Sequence, residues 1–353
     1  MRLPPLLQVD ALERDASEVL CSVRSMKNDF AAINRLPSDV FSLIPEYLEQ
    51  NDMDKGLIAM SHVCHSWREL FVARPSLWDR LDCASSVKTC VYIERSKSSP
   101  LELSLYKHGD TAYVEDAVLL AVPHISRLKS LSIDGRPGLL QILTPYLSCS
   151  IALLRELTIA FNSNPTPVLD TALFNGDLSS LRSLSLAGVI THLPWKNLSK
   201  LTTFELSRVP EDKISITQLL DFFEDAHHLK DITLRHSIPT SSNAPPGRVV
   251  SLPHLKKLTI CADPVHFVLL NHLSIPTGVS LTTEFMFTGV NLPLPELLPE
   301  TLENLKNILP ISSVNLLLGD FDKCVRFDGP NGGLYMLGQW IDLVGIPEFT
   351  VDR

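Results

Sequence analysis

One string recurs along the chain and restricts its fold more than any other feature: Leu-x-x-Leu-x-Leu, with conservative exchanges. It stands at Leu128-Leu131-Ile133, Leu154-Leu157-Ile159, Leu181-Leu184-Leu186, Leu201-Phe204-Leu206, Leu229-Ile232-Leu234 and Leu255-Leu258-Ile260. Successive first leucines lie 26, 27, 20, 28 and 26 residues apart. A period of this length holds one short strand and one returning segment. So small a unit cannot bury its apolar side alone, and consecutive copies must stack. Period-two alternation then sends Leu131 and Ile133 into the stack and Ser130, Ser132 and Asp134 out of it. Weaker copies extend the series at Leu103-Leu105, Phe285-Phe287 and Leu316-Leu318.

The segments between copies read as helices at 113–122, 139–147, 216–226, 264–272 and 296–308. Ser215 with Gln218 has capping-box spacing, and Asp263 places an acceptor just before Pro264. Strand and helix alternate, so the expected class is α/β with a parallel sheet. The pattern resembles a leucine-rich-repeat solenoid, and a generic α/β domain with Leu-rich strands is the alternative. That family usually carries Asn or Cys three residues beyond the last strand leucine. Here Asn162 matches, while Arg136, Val189, Val209, Ser237 and Asp263 occupy the other places. Without that ladder the turn backbone needs other partners, and curvature is expected to be irregular. The 20-residue copy around Trp195 is expected to lack a full helix.

Ahead of the repeats lie two apolar-periodic segments, 37–48 and 57–71, joined by the polar run 49–55, which reads as a helical hairpin. Val40, Phe41, Ile44, Tyr47 and Leu48 form one stripe; Met60, Val63, Cys64, Trp67 and Leu70 form the other. So short a hairpin cannot cover both stripes, and the surplus must meet the rest of the chain or another protein.

The run Leu36-Pro37-x-Asp39-Val40, then Ile44, Tyr47-Leu48, Val63-Cys64-x-x-Trp67-Arg68 and Pro75-Ser76-Leu77-Trp78 resembles an F-box, in the style common among fungal F-box proteins. The resemblance implies that the hairpin docks on a Skp-family adaptor, which hangs on a cullin. The chain would then be a non-catalytic substrate receptor of a ubiquitin-ligase complex, its solenoid recruiting a protein target. The adaptor-binding residues it implies are Leu36, Pro37, Val40, Ile44, Leu48, Leu57, Val63, Cys64, Trp67 and Leu70, used as apolar anchors in a groove. Pro45 departs from the family, which usually has a large apolar residue there. An interior proline removes a hydrogen bond and collides with the carbonyl four residues back, at ~3 kcal/mol. The first helix should therefore kink or stop near Ile44. This keeps open a second reading, a scaffold whose hairpin packs on its own repeats and does not engage the adaptor.

The expected divisions are an amphipathic helix over 1–32, the F-box over 33–80, the solenoid over 81–320 and a C-terminal cap over 321–353. In the first, Leu12, Val19, Val23 and Met26 lie among charged residues, to pack on the hairpin or project as a short coiled-coil arm. Phe321, Val325, Phe327, Tyr335, Trp340 and Phe349 supply the cap, which covers the end of the stack. Residues 239–247, rich in Pro, Ser and Asn, read as a loop at the edge of the solenoid.

The outward strand positions are small, polar and hydroxyl-rich. Candidate target-binding residues among them are Tyr106, Arg235, Lys257 and Met286, with Arg248 on the loop side. A net charge of -9 without a long Lys/Arg run argues against a nucleic-acid partner. Seven scattered cysteines, never in a CxxC pair, fit free thiols in a reducing compartment. The first residues lack a signal-peptide pattern, and no eighteen consecutive residues are apolar, so neither secretion nor a membrane span is expected. A cytoplasmic or nuclear location follows. No nucleotide-binding, nucleophile-elbow or zinc-protease motif occurs. The densest metal-like cluster is His62-x-Cys64-His65; on a helix Cys64 would point at the hairpin core, leaving too few ligands. No cofactor, no metal and no enzymatic activity are expected.

Overall fold

The computed structural model describes residues 5–41, 43–47, 53–83, 85–106, 111–135, 143–169, 173–191, 198–210, 213–238, 245, 247–262, 264–285, 292–293, 304–307, 313–318, 323–329, 332–338 and 341–342. The chain divides into two compact units, Met1–Leu81 with Cys90–Ser99, and Asp82–Thr89 with Pro100–Arg353.

The first unit is helical. It contains α1 (Pro5–Asp29), α2 (Ser38–Phe41), α3 (Met53–Ser61), α4 (His65–Val72), the two-residue strand β1 (Arg80–Leu81) and most of α5 (Ser86–Ser96). Short 3-10 turns stand at Ala32–Arg35, Ile44–Tyr47 and Pro75–Leu77. The segment 37–48 stops where proline chemistry demands: α2 ends at Phe41, four residues before Pro45, and Pro45 itself is buried in the 3-10 turn. The single helix expected over 57–71 is two. Cys64 adopts φ -159°, ψ 172° as the residue before α4, and it separates α4 from α3. Neither Gly nor Pro announces this break in the sequence. It resets the helical phase, so that Leu57 and Ser61 of α3 and Phe71 of α4 all turn inward. Along α1, Val9, Leu12, Val19, Val23 and Met26 are exposed, so this helix does not bury its apolar stripe on the hairpin. It is tied at its C-terminal end, where Asn34 Nδ2 donates to the Asn28 carbonyl at 2.6 Å.

The second unit carries the sheet. Its strands are β2 (Leu101–Tyr106), β3 (Leu128–Gly135), β4 (Glu156–Phe161), β5 (Val168–Leu169), β6 (Ser183–Ala187), β7 (Ile190–Thr191), β8 (Thr203–Ser207), β9 (Asp231–Arg235), β10 (Val250–Ser251), β11 (Lys257–Ala262), β12 (Leu273–Ser274), β13 (Ser280–Phe285), β14 (Leu292–Pro293), β15 (Ser313–Leu318), β16 (Lys323–Gly329), β17 (Gly332–Gly338) and β18 (Ile341–Asp342). The main sheet runs β2-β3-β4-β6-β8-β9-β11-β13-β17-β16-β15. Every neighbour from β2 to β17 is parallel, and the last two pairings are antiparallel. Small parallel pairs, β5 with β7 and β10 with β12, lie outside it.

Register turns the repeated string into rows. One inward row reads Leu103, Leu131, Leu157, Leu184, Phe204, Ile232, Leu258, Leu281, Leu334; the next reads Leu105, Ile133, Ile159, Leu186, Leu206, Leu234, Ile260, Thr283, Met336. All are buried, as are the first leucines of the six copies. Thus each strand buries two side chains against the same two on its neighbours, and a segment returns behind each. The return after β2 is α6 (Thr111–Ala121) followed by a 3-10 turn Val122–Arg127. That before β9 is a helix Ile216–Asp225 with a complete capping box between Ser215 and Gln218, and Phe222 and Phe223 of this helix pack on Phe204. The return before β12 is a 3-10 helix Pro264–His272. Residues 143–147 are helical, whereas most of 296–308 and the segment around Trp195 lie outside the described residues.

The missing Asn ladder is replaced by backbone. After β6, β8 and β9 the chain turns through a left-handed residue, Gly188, Arg208 and His236, whose N–H donates to a carbonyl at the C-terminal end of the next strand, Ser207, Arg235 and Cys261, each at 2.8 Å. Ser237 Oγ accepts from the Val209 N–H at 3.1 Å and donates to the Arg235 carbonyl at 2.8 Å. Asn162 is exposed and builds no ladder.

Two expectations about the repeats are corrected. The copy read at Phe285-Phe287 is carried instead by Leu281 and Thr283, which lie opposite Leu258 and Ile260. A threonine in the second inward place hid it from an apolar scan. The copy read at Leu316-Leu318 is β15, and it is not the next strand along: β17 lies beside β13, and β15 is outermost. Gly329 and Gly332 face each other across a two-residue link, which closes β16 and β17 into an antiparallel hairpin. The sheet therefore continues through 323–338, inside the stretch assigned to a cap.

Candidate functional site

In the first unit the core is aromatic. Phe41 meets Trp67 edge to face at 4.6 Å between centroids and Phe71 at 5.6 Å, and Trp67 meets Phe71 at 6.2 Å. Each contact adds roughly 0.5–1.5 kcal/mol to what burial supplies. The polar edge of Trp67 is satisfied as well, since Nε1 donates to Asn34 Oδ1 at 2.6 Å. Trp78 is fully buried, with Nε1 donating to the Phe71 carbonyl at 2.9 Å, Tyr92 edge-on at 5.0 Å and the Arg95 guanidinium over its ring at 4.3 Å. This cluster holds the short helices in place without long runs of backbone bonds.

Around that core several apolar side chains face outward among the polar ones. Val40 is 48% exposed, Val63 58% and Tyr47 86%, and Ile33, Leu36, Leu43 and Ile58 are exposed too. Ile33, Leu36, Val40, Leu43 and Tyr47 are all exposed, so the broken helical run over 33–47 presents a strip of sequence rich in apolar side chains to solvent. Pro37 is exposed, whereas Ile44, Cys64, Trp67 and Leu70 are half-buried. Leu48 lies outside the described residues. Leu57 is the correction: at 1% exposure it belongs to the core and has no surface to offer a partner. The resemblance implies it as an adaptor anchor, but its place in α3 turns it into the core. Ile33, Leu43, Tyr47 and Ile58 are the surface residues missed in the sequence; Tyr47 was on the stripe, and Ile58 becomes legible once α3 is phased on Leu57. The reading of Cys64 on a helix is corrected too, since it lies between two helices and His65 pairs with Glu69 at 3.5 Å. Among the described residues no group of three or more His, Cys, Asp or Glu is placed to hold a metal ion, and no helix is long and apolar enough to cross a membrane.

On the sheet the outward rows are as polar as their sequence. The middle row is Ser104, Ser132, Thr158, Ser185, Glu205, Thr233, Thr259, Thr282, Tyr335, and Ser185 Oγ donates to Glu205 at 3.0 Å. Tyr106 and Arg235 share another row, but β2 and β9 are five strand steps apart, about 24 Å at ~4.8 Å per step. They cannot act as one anchor. Arg235 and Lys257 stand on neighbouring strands, and Arg235 pairs across β11 with Glu284 at 3.5 Å. Met286 lies outside the described residues, as do 239–244 and 246 of the expected loop. Arg248 is corrected: its guanidinium binds Asp221 at 2.7 Å and Glu224 at 2.9 Å on the Ile216–Asp225 helix, so it fastens the return segment and is not a free anchor. The hydrogen bonds it donates to Asp221 first, then Glu224, raise its pKa further.

Residues 33–84 match the F-box-like domain family, which spans the α2–α4 core, Trp78 and the exposed strip just described. The chain therefore carries an F-box-like domain, of a kind that generally binds Skp1-type adaptors and serves ubiquitin-ligase assembly or protein interaction. A search of the curated proteins returns no match to the chain.

Proposed function

We propose that this protein is a non-catalytic substrate receptor of a Skp/cullin/F-box ubiquitin ligase, an F-box protein of fungal type working in the cytoplasm or nucleus. The F-box-like unit docks on the adaptor, and a leucine-rich-repeat-like solenoid formed by the in-register parallel strands grips a protein target. The observation that supports this best is the apolar strip of Ile33, Leu36, Val40, Leu43 and Tyr47, with Val63 and Ile58, left in solvent around a satisfied aromatic core. Apolar groups gain about 25 cal/mol per Å² when removed from water, and these side chains have that gain still to make. In the scaffold alternative the hairpin would not engage the adaptor. The receptor contributes proximity, with the chemistry on other subunits.

The test is capture of a purified Skp-family adaptor by the full chain, compared with Val40→Asp and Val63→Asp variants of unchanged melting behaviour. Capture by the native chain and loss in both variants supports the proposal. A native chain that fails to capture the adaptor sinks it.

A further inference from the structure

The residue after the first leucine of each repeat is Lys129, Arg155, Arg182, Thr202, Lys230 and Lys256 in turn. These residues form a single line at the N-terminal edge of the sheet, because their backbones are bonded in sequence. Arg155 N–H donates to the Lys129 carbonyl at 2.8 Å, Arg182 to Arg155 at 2.7 Å, Thr202 to Arg182 at 2.9 Å, Lys230 to Thr202 at 2.8 Å and Lys256 to Lys230 at 2.7 Å. Lys129 is neutralised by Glu102 at 3.0 Å. Arg155, Arg182, Lys230 and Lys256 are exposed, and among the described residues none of them has a carboxylate within ion-pair distance. In a chain of net charge -9, this edge lines up four exposed cations that no ion pair engages among the described residues.

The strip has a concave centre. Thr202, shorter than its neighbours, lies between Arg182 and Lys230, and with Lys200 and His228 these residues line a cleft of about 410 Å³. The Thr202 hydroxyl donates to the Arg182 carbonyl at 3.0 Å, so the donors offered to a ligand are the cations and His228. His228 is held between His227 at 4.3 Å and His254 at 5.3 Å.

We infer that this edge is a docking groove for an acidic, extended protein segment whose carboxylates lie along Arg155, Arg182, Lys230 and Lys256 and are centred on the cleft. Those four span four strand steps, about 19 Å, the length of roughly six extended residues. In the next row inward Glu102 is paired with Lys129, and Glu156 and Asp231, the latter beside Lys257, disfavour a broad anion such as a nucleic-acid duplex. A single nucleic-acid strand binds by stacking on aromatic platforms, and among the described residues no Phe, Tyr or Trp lines the cleft. A narrow, carboxylate-bearing peptide fits both constraints. The inference rests on the receptor reading for its purpose, since it names the class of target, but the binding itself requires no adaptor.

The experiment is fluorescence anisotropy of a labelled Glu- and Asp-rich peptide of about eight residues titrated with the full chain at low salt, without adaptor. Gln- and Asn-substituted peptide and oligothymidylate serve as comparisons. Saturable binding of the acidic peptide alone, weakening as salt rises, is expected. The Arg182→Glu/Lys230→Glu double variant should weaken it at least about tenfold, and Lys27→Glu on α1 should leave it unchanged. Circular dichroism and melting confirm that the variants remain folded. Absent saturation, an unaffected double variant, or oligothymidylate binding as tight as the peptide would each overturn the inference. Peptide binding without adaptor capture would sink the receptor reading alone, and adaptor capture without peptide binding this inference alone.

Discussion

Val63 and Leu57 belong to the same helical unit and both match the F-box pattern, yet they should behave oppositely when changed. Fully burying a valine stabilises by about 1.5–3 kcal/mol. Val63 keeps 58% of its surface free, so roughly 1–2 kcal/mol remains to be gained against an adaptor groove. Val63→Asp removes that gain and forces a carboxylate to lose water in the interface. Adaptor affinity should fall by about 2 kcal/mol or more, on the order of 30-fold in Kd. Folding stability should move by no more than about 0.5 kcal/mol, as for other surface changes. Leu57, with 1% exposed, should do the reverse: Leu57→Ala costs roughly 2–5 kcal/mol of stability through the cavity it leaves. Whatever folded protein remains should bind the adaptor with native affinity. Titration calorimetry against the purified adaptor and urea unfolding of each variant measure the two quantities. If Val63→Asp binds as tightly as the native chain while remaining folded, the exposed strip is not the docking surface.

Three further outcomes follow from the sheet-bearing unit. Thr283 is buried in an otherwise apolar row, its hydroxyl reaching the Tyr335 carbonyl only at 3.5 Å; Thr283→Val should therefore raise stability by about 1–2 kcal/mol in urea unfolding, and a loss would show that the hydroxyl is well bonded. Gly188 has φ +59°, and a Cβ there would collide with the Phe161 carbonyl oxygen, so Gly188→Ala should cost roughly 2–5 kcal/mol and depress the melting temperature. Burial, with Asp82 adding to it against the Thr89 hydrogen bond, pushes the Cys83 thiol up to about 12 from 9.0. A raised pKa in the folded state contributes stability below the unfolded value and loses it above, so this contribution should decline from pH 9 towards 12. In thiol labelling at neutral pH, Cys83 should stay unmodified until the chain unfolds, while the exposed Cys21, Cys90 and Cys149 react.

The repeats were legible because burial was decided by a short local pattern: wherever Leu-x-x-Leu-x-Leu stood intact, its three apolar residues are buried in register. The reading slipped where a polar residue took an inward place, as Thr283 does, and where pairing depended on a link between distant strands, as for β17 beside β13. In the helical unit, the effect of Pro45 on α2 could be read from one residue's covalent chemistry. The break at Cys64 could not, because no local breaker marks it and the aromatic contacts of Phe41, Trp67 and Phe71 span thirty residues of chain. The positive edge was visible as one letter per repeat. Its continuity required the backbone bonds that align those letters.

The placement of β17 between β13 and β16 also affects the order in which the molecule can be completed. A ribosome delivers β15 and β16 before β17, yet of these three only β17 borders β13. Until residues 332–338 emerge, the growing polypeptide carries an open row of β13 amides and carbonyls that any passing strand could occupy. A chain cut before Gly332 would make that vulnerability permanent, while leaving the amino-terminal helices their full complement of residues.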